Sequence, residues 1–182
     1  MLPKSNLHTH TTYSDGKNTP EEMIQAALDR GFVLLGFSDH GYAPHDPASM
    51  SQEGEVRYRA EVRALQAKYA DRIKILLGYE HDFTMPDADL SPYDYVIESV
   101  HFFEKDGQYI PIDYSAEVMQ RAIDTWYQGD PYRMCADYFD TLCRSIMSAR
   151  GQIVGHIGLV TKFNEGNRMF DAEDPRYLNP AK

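Results

Sequence analysis

Four short apolar runs in this sequence each stop at a histidine or an acid. Residues 32–37 lead through Ser38 to Asp39-His40, and 73–78 lead through Tyr79 to Glu80. Residues 95–100 lead to His101, and 153–155 lead to His156. A fifth strand-like start, at Ser5, runs into His8-Thr9-His10, with Ser14-Asp15-Gly16 close behind. Side chains at i and i+2 on extended backbone point to one side, so His8 and His10 suit two ligands of one ion. Strands that all end in imidazoles or carboxylates deliver ligand-type side chains to one common place.

The segments between these runs read as helices. Thr19-Pro20-Glu21-Glu22 carries an N-cap, a first-position proline and a capping-box partner. Met23, Ile24, Ala27 and Leu28 follow as one apolar face, and Gly31 stops it. Residues 53–70 read as a charged helix with Val56, Val62, Leu65 and Tyr69 inward, and 115–128 and 131–150 read as two more. Residues 41–50, 86–92 and 102–111 read as loops, and 161–182 as a polar tail with no further strand. Strand alternating with helix gives an α/β fold with a parallel sheet. In a barrel of parallel strands the functional residues sit at the C-terminal strand ends, as they do here. About five strands are legible, fewer than the seven or eight of a closed barrel.

The 182 residues fit one domain spanning 1–182. The net charge of −10 leaves no basic stripe for nucleic acid and favours a small substrate. No apolar run is long enough to cross a membrane. The N-terminus has no signal-peptide pattern, and Cys135 and Cys143 have no metal or disulfide spacing. A cytoplasmic protein with two reduced thiols is the expectation.

Singly, these residues have ordinary readings: a lone histidine is more often structural than a ligand, and Asp15 also suits a turn. Together they form a set. Imidazoles with a shared carboxylate hold zinc, manganese or iron, and Glu80 offers two oxygens as a bridge between two ions about 3.5–4 Å apart. Such ions clamp a phosphate ester and bring water to a pKa near 7, so no serine or cysteine nucleophile is needed. Glu80 and His101 are catalytic candidates. Asp39, counted with them, reads either as a strand-end cap or as a carboxylate orienting His40. Arg168, Lys162 and His45 are substrate-contact candidates, and His81 points away from Glu80 if the strand persists.

These residues resemble the polymerase-and-histidinol-phosphatase (PHP) superfamily. The likeness rests on His8-Thr9-His10 with Ser14-Asp15-Gly16, Ser38-Asp39-His40, Gly78-Tyr79-Glu80, Ser99-Val100-His101 and Gly155-His156. Residues 155–159 and Lys162-Phe163-Asn164 resemble its histidinol-phosphatase branch. The resemblance implies a distorted (β/α)7 TIM-like barrel and two or three divalent ions. By it His8, His10 and Glu80 bind one ion, Glu80, His101 and His156 a second, and Asp15 and His40 a third. It implies hydrolysis of a small phosphomonoester, typically L-histidinol phosphate. The alternatives are a phosphoesterase acting on nucleotides or nucleic-acid ends, and a metal-binding remnant without turnover. The family's late Asp-x-His motif has no counterpart after His156. The barrel is therefore expected to be incomplete at its C-terminal end. A fragment, lost activity, or a second copy in a homo-oligomer each accounts for it.

Overall fold

The computed structural model describes residues 4–85 and 87–182. Pro86, in one of the expected loops, lies outside them. The chain forms two compact units: Met1–Glu98 with Arg150–Ile153, and Ser99–Ala149 with Val154–Lys182.

In the first unit β1 (Lys4–Asn6), α1 (Pro20–Asp29), β2 (Phe32–Phe37), α2 (Gln52–Lys68) and β3 (Lys74–Asp82) follow in order. β1 pairs with β2 and β2 with β3, both in parallel. With β4 (Tyr95–Ser99) and β7 (Ile153–Val154) they make one sheet in the order β1-β2-β3-β4-β7. The start of α1 is the capping box read from the sequence: Thr19 accepts the Glu22 N–H and Glu22 accepts the Thr19 N–H. β3 runs longer than its apolar run because pairing continues past it. The Glu80 N–H donates to Asp39 O at 3.1 Å, the Gly41 N–H donates to Glu80 O at 2.9 Å, and His40 and Glu80 stand opposite one another in a parallel bridge.

The first unit's core is apolar side chains from α1, β2, α2 and β3, including the fully buried Ile24, Phe37 and Leu77. Burying each such side chain contributes about 1.5–3 kcal/mol. Val56, expected inward, is exposed; Tyr58 takes the inward position and donates its hydroxyl to Gly78 O at 2.9 Å. The glutamate- and arginine-rich α2 is thus seated by a phenol with a polar tip, which an apolar-periodicity reading undervalues.

In the second unit the expected loop 102–111 is a hairpin. β5 (Phe102–Lys105) and β6 (Gln108–Pro111) pair antiparallel about Asp106 and Gly107, both at positive φ. Asp-Gly between strands is the signature of this turn. α3 (Ala116–Trp126) is capped by Ser115 and α4 (Pro131–Ser148) by Asp130, and α4 buries Met134, Tyr138, Phe139 and Leu142. Cys135 is buried on α4, which pushes its thiol pKa up to about 12, and Cys143 is exposed. After residue 160 the described residues hold single turns and α5 (Pro175–Leu178), and no strand. Asn164 fixes this stretch: its amide donates to Phe170 O, and its carbonyl accepts the Met169 and Phe170 N–H groups. Among the described residues no helix is long and apolar enough to cross a membrane.

Candidate metal centre

Three histidines of the first unit converge on one carboxylate. His8 Nε2 lies 3.1 Å from Glu80 Oε1, His10 Nε2 lies 2.9 Å from Glu80 Oε2, and His40 Nδ1 lies 3.2 Å from the same Oε2. The backbone explains the convergence. His8 and His10 follow β1 on extended chain, which is held beside Ser38 by the Ser38 N–H donating to Thr9 O at 2.9 Å. His40 follows β2 and Glu80 lies in β3, so three neighbouring strands each bring their ligand-type residue to the same level.

These distances suit a metal. Donors about 2.0–2.2 Å from one ion stand roughly 3 Å from one another. The donors on His10 and His40 stand 2.9 and 3.2 Å from Glu80 Oε2, and all three residues offer donor atoms within 4.8 Å of one another. The Glu80 side chain is fully buried, His40 and His10 are mostly buried, and His8 is 36% exposed. The cluster therefore opens to solvent on the His8 side. A carboxylate in such a place is costly unless positive charge meets it.

In this arrangement the imidazole rings stand against it, and His10 is held toward its charged form. Burial lowers the His10 pKa, but Glu80 and then Asp15 more than offset it and hold the value at about 9. Asp15 Oδ1 sits 2.7 Å from His10 Nδ1 and 4.0 Å from His40 Nε2. A carboxylate on the far nitrogen of a ligand histidine fixes the ring and raises its basicity. Asp15 stands in that relation to His10.

Asp39 is fully buried, and its acceptors face the turn after His10. Its carboxylate accepts from the Thr11 N–H at 2.7 Å, the Thr11 hydroxyl at 3.0 Å, the Ser14 N–H at 3.2 Å and the Ser14 hydroxyl at 2.7 Å. Burial raises its pKa, against these donors. These contacts brace the segment that carries His10 and Asp15.

In the second unit His101 Nε2 lies 3.2 Å from His156 Nε2. The backbone fixes both: Ile112 N–H donates to His101 O, and Leu159 N–H and the Tyr138 hydroxyl donate to His156 O. This is a second place where two imidazole nitrogens stand at ligand spacing.

The three substrate-contact candidates have local partners. His45 Nε2 is 3.0 Å from the Thr84 hydroxyl, and burial lowers its pKa. Lys162 donates to Asp113 at 3.1 Å, which leaves it engaged in an ion pair. Arg168 borders a shallow cavity of about 220 Å³ with Glu117 and Gln120. His81 points away from Glu80 as the strand alternation requires. Its Nδ1 meets Glu98 Oε2 at 2.8 Å and its Nε2 meets Met85 O at 2.6 Å, with both side chains buried. The Glu98 partner was missed. Its place inside an apolar run was the available signal, since a buried carboxylate needs a partner.

Together the fold and the cluster define an α/β protein with strand-end histidines gathered round a buried carboxylate. The PHP domain profile matches residues 6–177, and the chain belongs to this family. A Deinococcus radiodurans protein named "Probable histidinol-phosphatase" is 34% identical over 177 residues, covering 89% of this chain and 62% of the relative. The chain thus spans less than two thirds of that relative's length. A Listeria monocytogenes structure described as "putative histidinol phosphatase hisK" superposes with a TM-score of 0.78 at 21% identity, over 97% of this chain and 75% of that one. The Lactococcus lactis histidinol phosphate phosphatase, solved with zinc, L-histidinol and phosphate, gives 0.63 at 21% identity, over 87% and 60%. At these identities the two structures establish a shared fold.

Proposed function

We propose that this chain is a metal-dependent phosphatase acting on a small phosphomonoester, with L-histidinol phosphate as the substrate, and that its barrel is of the (β/α)7 kind. The observation that carries the reading is the approach of three imidazoles to the two oxygens of Glu80 at 2.9–3.2 Å. The named relatives agree with it: one carries the phosphatase name, and another was solved with zinc, histidinol and phosphate.

In this reading His8, His10, His40, Glu80 and Asp15 hold divalent ions in the first unit, and His101 and His156 are ligands in the second. Zinc, manganese and iron all suit the mixed nitrogen and oxygen donors. When bound, such ions supply positive charge for phosphate oxygens and bring water to a pKa near 7. The protein supplies the rest. Glu80 holds its negative charge out of solvent, Asp15 sets the His10 ring, and Asp39 fixes the turn that carries both. The exposed edge of His8 is the side from which a substrate reaches the cluster. The net charge of −10 favours a small ester over a polyanion.

The test is phosphate release from histidinol phosphate with added manganese or zinc. Wild type turns over, while Glu80→Ala and His101→Ala lose most of the rate. Equal rates in all three proteins refute the proposal.

A further inference from the structure

A cavity of about 260 Å³ lies in the first unit among Tyr42, Glu55, Arg59, Tyr79, Met85 and the acidic stretch at Asp87. It belongs to the opposite face of β3 from Glu80, because Tyr79 precedes Glu80 on the strand and consecutive side chains alternate. None of its lining residues belongs to the candidate metal centre.

Its walls are built rather than incidental. Glu55 Oε1 accepts the Tyr42 N–H at 2.8 Å and the Tyr79 hydroxyl at 2.7 Å, tying α2 to the loop after β2 and to β3. On the far side the buried His81 binds Met85 O at 2.6 Å, and Arg150 donates to Ala88 O, so the loop wall is pinned at two carbonyls. The Tyr79 ring packs on Tyr93 with centroids 4.5 Å apart, and Arg59 lies over Tyr93 at 6.0 Å. A preformed cleft with fixed polar groups can hold a small ligand in one orientation.

The lining chemistry selects the ligand. Among the described residues that line it, Glu55, Asp87 and Asp89 stand against one cation, Arg59. Tyr42, Tyr79, Met85, Gln52 and Ala88 complete the walls. Excess carboxylate beside the part-exposed Tyr42 ring and the Met85 thioether favours an organic cation with a flat or apolar body, through ion pairing and cation–π attraction. We propose that this cavity is a second ligand site, separate from the metal cluster, for a small aromatic ammonium compound. The site adjoins the cluster through the backbone: Tyr42 follows Gly41, whose N–H donates to Glu80 O at 2.9 Å.

The experiment uses the full chain and phenethylammonium as probe, followed by amide chemical shifts. Saturable shifts centred on Tyr42, Glu55, Tyr79 and Met85 are expected. The anionic isostere phenylacetate produces none of them. Glu55→Gln, which keeps an accepting oxygen but removes the charge, weakens binding about tenfold. Asp87→Asn, at an exposed loop position, weakens it in the same direction and serves should Glu55→Gln unfold. No saturable shift at these residues, equal binding of phenylacetate, or undiminished binding in both folded variants overturns the proposal. Phosphatase activity enters none of these readouts, so the outcome stands apart from the function proposed above.

Discussion

The Asp39 carboxylate accepts the Thr11 backbone N–H at 2.7 Å, across the gap between the end of β2 and the turn that carries His10. With the Thr11 and Ser14 hydroxyls and the Ser14 N–H it satisfies four donors from one buried position. Removing it takes the acceptor from the Thr11 N–H and from both hydroxyls, each at about 1–3 kcal/mol, while the Ser14 N–H keeps Thr11 O at 3.1 Å. Asp39→Ala is therefore expected to lower unfolding free energy by about 2–4 kcal/mol in urea titration. Metal affinity is expected to fall with it, because Asp15 and His10 lose their support. Full stability in Asp39→Ala contradicts this account.

Glu80→Gln keeps the shape of the side chain and removes the charge. It touches His8, His10 and His40 at once, so the loss falls on metal binding far more than on folding. Zinc affinity, read by competition with a chromophoric chelator, is expected to drop by about 100-fold or more. An unchanged affinity would show that these imidazoles do not act as a set with Glu80.

The protonation of His10 gives metal uptake a pH dependence. Burial alone would hold the ring neutral, yet Glu80 and Asp15 raise its pKa to about 9. At that value the metal-free protein is expected to carry a proton on His10 at neutral pH, which an ion must displace. Affinity should rise with pH and level off near pH 9, by about tenfold per unit from this group alone. Calorimetry in buffers of different ionisation enthalpy checks it: zinc uptake at pH 7.5 releases a proton, and the Asp15→Asn, Glu80→Gln double variant releases less.

Much of this centre was legible as a pattern. His8, His10 and His40 follow strands and Glu80 lies two residues before the end of β3, and the parallel register sets these positions side by side, so sequence position translated directly into proximity. The capping box at Thr19 was equally legible, because its signal is local. What escaped was set by tertiary partners. Asp39 has the position of a ligand-set residue, and only the fold shows that its acceptors face Thr11 and Ser14. The His81–Glu98 pair joins two strands whose pairing no local period encodes. Val56 and Tyr58 sit two apart on α2, and the choice between them depended on a carbonyl, Gly78 O, on another strand. The 102–111 hairpin is different: Asp106-Gly107 was a readable signal that was passed over.

Tyr95 explains two glycines and separates them. A Cβ at Gly36 would lie 2.3 Å from the Tyr95 hydroxyl and 2.9 Å from Leu7, both side-chain atoms. At Gly78 it would lie 2.2 Å from the Tyr95 ring but also 2.6 Å from the backbone oxygen of Phe37. Each Gly→Ala change is expected to cost about 1–3 kcal/mol through overpacking. Shortening the ring relieves only one of them. In a Tyr95→Leu background Gly36→Ala should be nearly neutral, while Gly78→Ala stays destabilising. Double-mutant cycles by thermal or urea unfolding measure the difference, and equal rescue of both contradicts the geometry.

Asp94 sets the acid side of stability. Its Oδ2 accepts the Leu77 N–H and the Gln66 amide, each at 2.8 Å, and its Oδ1 meets the Arg63 guanidinium at 2.7 Å. Burial pushes its pKa up, but these donors outweigh it and the net shift is downward. A carboxylate with a depressed folded pKa binds fewer protons folded than unfolded between the two values. Its contribution is therefore complete above the unfolded value of about 3.9 and is lost as pH falls through the folded one. Asp94→Asn should cost about 1–2 kcal/mol at neutral pH, since an amide keeps some of the acceptor geometry and none of the charge. The gap between the variant and wild type should close as pH falls below about 4. Urea midpoints at pH 7 and across the acid range decide it: a gap that stays constant with pH would mean that packing, and not the carboxylate's charge, ties the β3–β4 loop to α2.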